Sequence, residues 1–130
     1  MKKILLLFFV FLLFSSAYVE AKDDALKKIR PRHVVNAIIE GDLTKLQNYI
    51  DKGVDINGAY FGSQFISYAI STHQDDVLDF LLENGADPNP ENEMSLLYYA
   101  IMEKNQYALA RLLKAGADPN KTFMGDTPKN

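Results

Sequence analysis

The chain has 130 residues, 48% hydrophobic and 24% charged, with a formal net charge of −3 and no cysteine. That length suits one domain with a modest core, and the missing thiols exclude disulfides, thiol nucleophiles and thiolate metal sites. Mild acidity without a basic cluster argues against nucleic acid, whose affinity rests largely on neutralised phosphates, and against anionic lipid surfaces.

The N-terminus begins with Lys2 and Lys3, continues as an unbroken apolar run from Ile4 to Phe14, and then offers small residues in Ser15-Ser16-Ala17 and Val19-Glu20-Ala21. These are the three parts of a secretory signal peptide. A membrane-spanning helix needs about 20 apolar residues, and the serines interrupt this run sooner. The expectation is a signal peptide over residues 1–21, cut after Ala21 or, as second choice, after Ala17, and an exported domain over 22–130 with no membrane attachment. A plain Lys-Lys start without a lipid-carrying cysteine suits a bacterial periplasm, or secretion. Removing Lys2, Lys3 and Glu20 leaves 12 basic and 16 acidic side chains, a net charge of −4.

From Asp24 to Arg30, Ala25, Leu26 and Ile29 share one side, which predicts a short N-terminal helix lying over the adjoining segment and ended by Pro31. Then a block of 21 residues occurs three times, starting at Ala37, Ala69 and Ala100. Gly53, Gly85 and Gly116 set its period at about 32, which means stacked supersecondary units that bury their apolar faces against one another.

Within each block the spacing predicts two antiparallel helices joined by a tight turn. In the second copy Ile66, Ala69 and Ile70 precede Val77, Leu78, Leu81 and Leu82; in the third, Leu97, Ala100 and Ile101 precede Ala108, Leu109, Leu112 and Leu113. Leucine stripes at helical spacing are packing surface rather than a cofactor box. Ala37, Ala69 and Ala100 are small because neighbouring helices approach there. Gly41, His73 and Lys104 fall on the inter-helix turn, where a left-handed backbone is expected. Gly53, Gly85 and Gly116 follow the second helix, where a left-handed residue satisfies the last carbonyls. Asp55, Asp87 and Asp118 with Asn57, Asn89 and Asn120 are turn formers that bond nearby backbone, too sparse for a calcium loop. The first copy is wetter, with Lys45 in the register of Val77 and Ala108 beside Thr44, Gln47 and Asn48, as befits a terminal unit.

The pattern of small residue, polar turn, Leu-Leu stripe and Gly-Ala-Asp-Pro-Asn resembles the ankyrin repeat. Gly85-Ala86-Asp87-Pro88-Asn89 and Gly116-Ala117-Asp118-Pro119-Asn120 carry the resemblance most clearly, and it extends from Arg32 to about Pro128. It implies an all-α solenoid of about three helix-turn-helix repeats with connecting loops, at about 32–58, 59–89 and 90–120. A partial fourth lies at 121–130, where Gly125-Asp126-Thr127-Pro128 looks like another opening. The family's Thr-Pro-Leu-His start is replaced by Arg32-His33-Val34-Val35, Gln64-Phe65-Ile66-Ser67 and Ser95-Leu96-Leu97-Tyr98. The Thr cap and helix-starting Pro are mostly lost, each worth about 1 kcal/mol; packing by Phe65, Tyr68, Tyr98 and Tyr99 is expected to compensate.

The resemblance also implies where a partner protein would bind: loop tips and the outward positions of the first helices. By register these are Tyr60, Phe61, Ser63, Ser71 and Thr72, then Glu91, Asn92, Met94, Met102 and Glu103, then Phe123, Met124 and Asp126. Large apolar side chains on loop tips, as in Tyr60-Phe61 and Phe123-Met124, suit an interface. His33 and His73 sit in different repeats without catalytic partners and are expected to be solvated helix-end residues. The expected function is non-catalytic protein–protein interaction after export, by a monomer without cofactor, metal or nucleic acid. A secreted effector, an immunity or accessory protein for a periplasmic enzyme, and a truncated remnant of a longer array stay open as alternatives.

Overall fold

The computed structural model describes residues 28–91 and 94–121. Six helices and two short strands lie there: α1 (Pro31–Glu40), α2 (Leu43–Asp51), β1 (Ala59–Tyr60), β2 (Ser63–Gln64), α3 (Phe65–Ser71), α4 (Asp75–Glu83), α5 (Leu96–Met102) and α6 (Gln106–Lys114). The helices form three antiparallel pairs. α1 packs on α3 and α3 on α5 to make one layer, while α4 packs on α6 in the other. The result is the all-α, helix-turn-helix solenoid that the repeat period predicts.

Three alanines set the spacing of the first layer: Ala37, Ala69 and Ala100 are buried, beside Ile38 and Ile70. Leu46, Val77, Leu78, Leu81, Ala108 and Leu112 bury the facing stripe of the second helices. Two residues expected in this core are not in it. Ile101 is 59% and Leu113 46% exposed, because the register that buries Ile38 and Ile70 requires a following helix pair, and none stacks on α5–α6 among the described residues. Leu82 and Leu109 are only partly buried against the cluster.

The turns follow from backbone chemistry. Gly41, His73 and Lys104 have φ of 72°, 54° and 54° between paired helices, so the left-handed position is shared by all three copies although only one holds glycine. Gly53, Gly85 and Gly116, at φ 99°, 97° and 100°, end the second helices. At each end a pair of hydrogen bonds runs back into the helix: Gly85 N donates to Leu82 O at 3.2 Å and Ala86 N to Leu81 O at 2.9 Å, the Schellman arrangement that closes a helix C-terminus.

Pro31 opens α1, standing in its first turn, where its missing N–H costs nothing. A helix-starting proline is thus retained in the first repeat, and α1 is 10 residues long against 7 for α3 and α5. Lys28 to Arg30 are not helical; the rest of the expected N-terminal helix, the expected signal peptide and the partial fourth repeat beyond Lys121 lie outside the described residues. His33 Nδ1 accepts from Arg30 N at 3.0 Å and so caps α1. Ser95 caps α5, accepting from Tyr98 N at 3.5 Å. Phe65 is buried, and its ring fills the space where a Cβ on Gly58 would stand 2.7 Å away. Of the aromatics expected to compensate for lost caps, Tyr68 and Tyr99 pack against the core, whereas Tyr98 is exposed. Among the described residues no helix is long and apolar enough to cross a membrane.

Candidate protein-binding surface

Between the first and second helix pairs the chain makes a hairpin in which Ala59 pairs with Gln64 and Tyr60 with Ser63. Its two tip residues, Phe61 and Gly62, have φ of 51° and 75°. A two-residue turn with both centres left-handed matches the twist of the strands, and Asn-Gly is its favoured sequence. Here a phenylalanine takes the first place, and it is 87% exposed. Tyr60, beside it, is half-buried. It is packed against the core, its ring 4.4 Å from Phe61 and 6.4 Å from Tyr68, and its carbonyl accepts the Tyr68 hydroxyl. Burial pushes the Tyr68 phenol above its ordinary range, with Tyr60 and Tyr99 adding to the effect.

Behind the hairpin, amide side chains tie repeat to repeat. Asn57 Nδ2 donates to Gly85 O at 3.1 Å while Asn57 Oδ1 accepts from Asp87 N at 2.8 Å. Asn89 does the same to Gly116 O and Asp118 N, at 2.9 and 2.6 Å. Within each loop the aspartate closes the local turn: Asp55, Asp87 and Asp118 accept from Asn57, Asn89 and Asn120 N at 2.9, 2.8 and 2.9 Å. The expectation that all six bond nearby backbone holds for the aspartates, but Asn57 and Asn89 reach across to the next repeat. At the other turn, Gln74 Nε2 donates to Ile39 O at 2.8 Å and Asn105 Nδ2 to Ile70 O at 2.9 Å.

A family model for ankyrin repeats, in three copies, matches residues 34–123. The chain belongs to the ankyrin-repeat family. No curated protein matched the sequence. Ankyrin repeats generally serve as protein–protein interaction modules, typically without catalytic activity.

In the ankyrin stack the expected partner-facing residues fall into four groups. Phe61 and Ser63 stand exposed at the hairpin, Glu91 is exposed on the next loop, and Met102 is 55% exposed at the end of α5. Met94 and Glu103 are half-buried, and the Glu103 carbonyl lies 3.1 Å from His73 Nε2. Ser71 and Thr72 turn their hydroxyls onto Tyr68 O at 3.2 and 2.6 Å, so both serve the end of α3. Asn92, Phe123, Met124 and Asp126 lie outside the described residues. His33 and His73 each make a backbone contact, one capping α1 and one joining the second and third ankyrin repeats, so neither is simply a solvated helix-end residue.

Some contributors are absent from the sequence-based set. Gln74 and Asn105 occupy one register with Asp42, and that recurring polar position was the available signal. Asp79 on α4 accepts from Tyr107 Oη at 2.6 Å and from Arg111 Nε at 2.9 Å, joining α4 to α6. The hydrogen bond to Asp79 lifts the Tyr107 phenol above its ordinary range, with desolvation and the Asp79 charge adding to it.

Proposed function

We propose that the protein is a non-catalytic recognition module that acts as a monomer after export, in the periplasm or outside the cell. It holds a partner protein with the hairpin tip at Phe61 and Ser63 and the loop and α5 edge at Glu91, Met94, Met102 and Glu103. The observation that carries this reading is Phe61. A bulky residue in the left-handed region costs about 1–2 kcal/mol, and an aromatic ring left 87% in water gains little from burial beyond its edge contact with Tyr60. Strain at an exposed position is retained where the side chain has work outside the fold, and aromatic anchors dominate binding hot spots. Met102 supplies a second exposed, adaptable apolar contact on the same repeat stack.

Affinity capture from an envelope extract tests the reading. The native chain should retain one protein that the Phe61→Ser, Met102→Ser variant releases, with both chains equally helical by circular dichroism. Equal retention by the two would refute this surface. The nature of the captured protein separates the remaining readings: a periplasmic enzyme supports an immunity or accessory role, and a host or competitor protein an effector.

A further inference from the structure

Phe61 holds φ of 51° in a turn position that asparagine usually takes, and backbone strain of this kind persists only where the surroundings over-determine it. The hairpin offers little by itself. Its strands have two residues each, Phe65 N closes its base by donating to Gly58 O at 3.0 Å, and an isolated two-stranded hairpin is marginal in water. The remaining support comes from α3. Tyr68 donates its hydroxyl to Tyr60 O, immediately before the tip, and its ring stands 6.4 Å from that of Tyr60, which meets the Phe61 ring edge-on at 4.4 Å. Tyr68 also adjoins the next repeat. Tyr99 precedes Ala100 on α5 as Tyr68 precedes Ala69 on α3, the two helices pack together, and both tyrosines pack against the core. In the first repeat that register holds Asn36, exposed, so α1 carries no equivalent strut.

We infer that Tyr68 is the positioning residue of the recognition hairpin: through Tyr60 it holds the tip in the left-handed turn that presents Phe61, a role that rests on the proposed use of Phe61 in binding. Tyr68 is half-buried and its hydroxyl is committed to Tyr60 O, so it acts through the hairpin and not by contact with the partner. What it supplies is a tip ordered before association, which removes the cost of ordering that loop on binding. The hydroxyl is the essential part. Phenylalanine would fill the same ring space but has no donor for Tyr60 O.

Tyr68→Phe tests this, first in the chain alone. By nuclear magnetic resonance the contact between the Tyr60 and Phe61 rings should weaken, and the amide of Ser63, which pairs with Tyr60, should exchange about tenfold faster. That change should exceed the one at Leu81, buried in α4, which reports global stability. In capture from an envelope extract, Tyr68→Phe should retain about tenfold less of the protein that the native chain holds. A clamp supplies the rescue. The chain has no cysteine, so Ala59→Cys with Gln64→Cys, a directly opposed pair, places a single disulfide across the hairpin. Oxidised, this clamp should restore capture to the Tyr68→Phe chain; reduced and alkylated beforehand, it should not. An unchanged ring contact and Ser63 exchange in Tyr68→Phe overturns the proposal, as does full capture by that variant, or no rescue from a clamp that the native background tolerates. Failure of the Phe61 surface itself shows differently, as undiminished capture by the Phe61→Ser, Met102→Ser variant, and leaves the resonance result on the tip standing.

Discussion

Asn105 and Ile70 lie 35 positions apart and meet in a buried hydrogen bond, Asn105 Nδ2 to Ile70 O, 2.9 Å. The same side chain caps α6 through Oδ1, which accepts from Ala108 N at 3.0 Å. One amide therefore satisfies an orphan donor at a helix start and fastens two repeats.

Asn105→Ala should cost about 2 kcal/mol, roughly 1 for the cap and the rest for the lost cross-repeat bond to Ile70 O, which keeps its bond from His73 N at 3.3 Å. Asn105→Asp keeps the cap acceptor but loses the donor, so it should recover only part of the loss. Urea unfolding of the three chains checks the order native, Asp, Ala.

Asn89 and Asn120 are chemically identical and sit one repeat apart, yet only Asn89 bonds across to a neighbouring repeat among the described residues. Asn89→Ala should lower stability by about 1–2 kcal/mol, and Asn120→Ala by under about 0.5 kcal/mol. Equal losses would show that the cross-repeat bonds contribute nothing beyond the local turn.

Ala69 is buried where the first helices meet. Overpacking a tight site costs about 1–3 kcal/mol, so Ala69→Leu should lower the thermal midpoint clearly, while Ala110→Leu on exposed α6 surface should leave it nearly unchanged.

Tyr68 gives a pH dependence. Its phenol is raised above the ordinary value of 10.0 by burial first, so the folded state favours the protonated form. The associated stability is complete below pH 10 and is lost as pH rises through the raised folded value. Tyr68→Phe removes the titrating group and the bond to Tyr60 O. It should be less stable than the native chain at pH 7 by about 1 kcal/mol, with a smaller decline in midpoint at alkaline pH. Parallel curves for the two chains would contradict this.

Much of the architecture is written in the period. Gly53, Gly85 and Gly116 mark helix ends by a local backbone need, and Ala37, Ala69 and Ala100 mark close approach, so both were legible residue by residue. What escaped depends on partners remote in sequence. Ile101 follows the same Tyr-Ala pair as Ile70, and the presence of a following helix pair is what separates 59% exposure from none. Gln74 and Asn105 carry no mark of their role in the adjoining residues, because nothing local says that their amides reach Ile39 and Ile70. Tyr60 and Phe61 read as one aromatic pair, and their rings do touch, but Tyr60 packs against the core while Phe61 stays 87% exposed at the turn. Pro31 was ambiguous in principle, since the residue that ends one helix can open the next.

The central claim is that Phe61 is kept for recognition at the expense of the fold, and one paired measurement on Phe61→Asn addresses it. Asparagine tolerates the left-handed backbone at this turn position, so the variant should unfold at a denaturant concentration equal to or above the native chain's. It should also fail to retain the partner that the native chain captures from an envelope extract. A variant that is clearly less stable, or one that still captures the partner in full, would contradict the account.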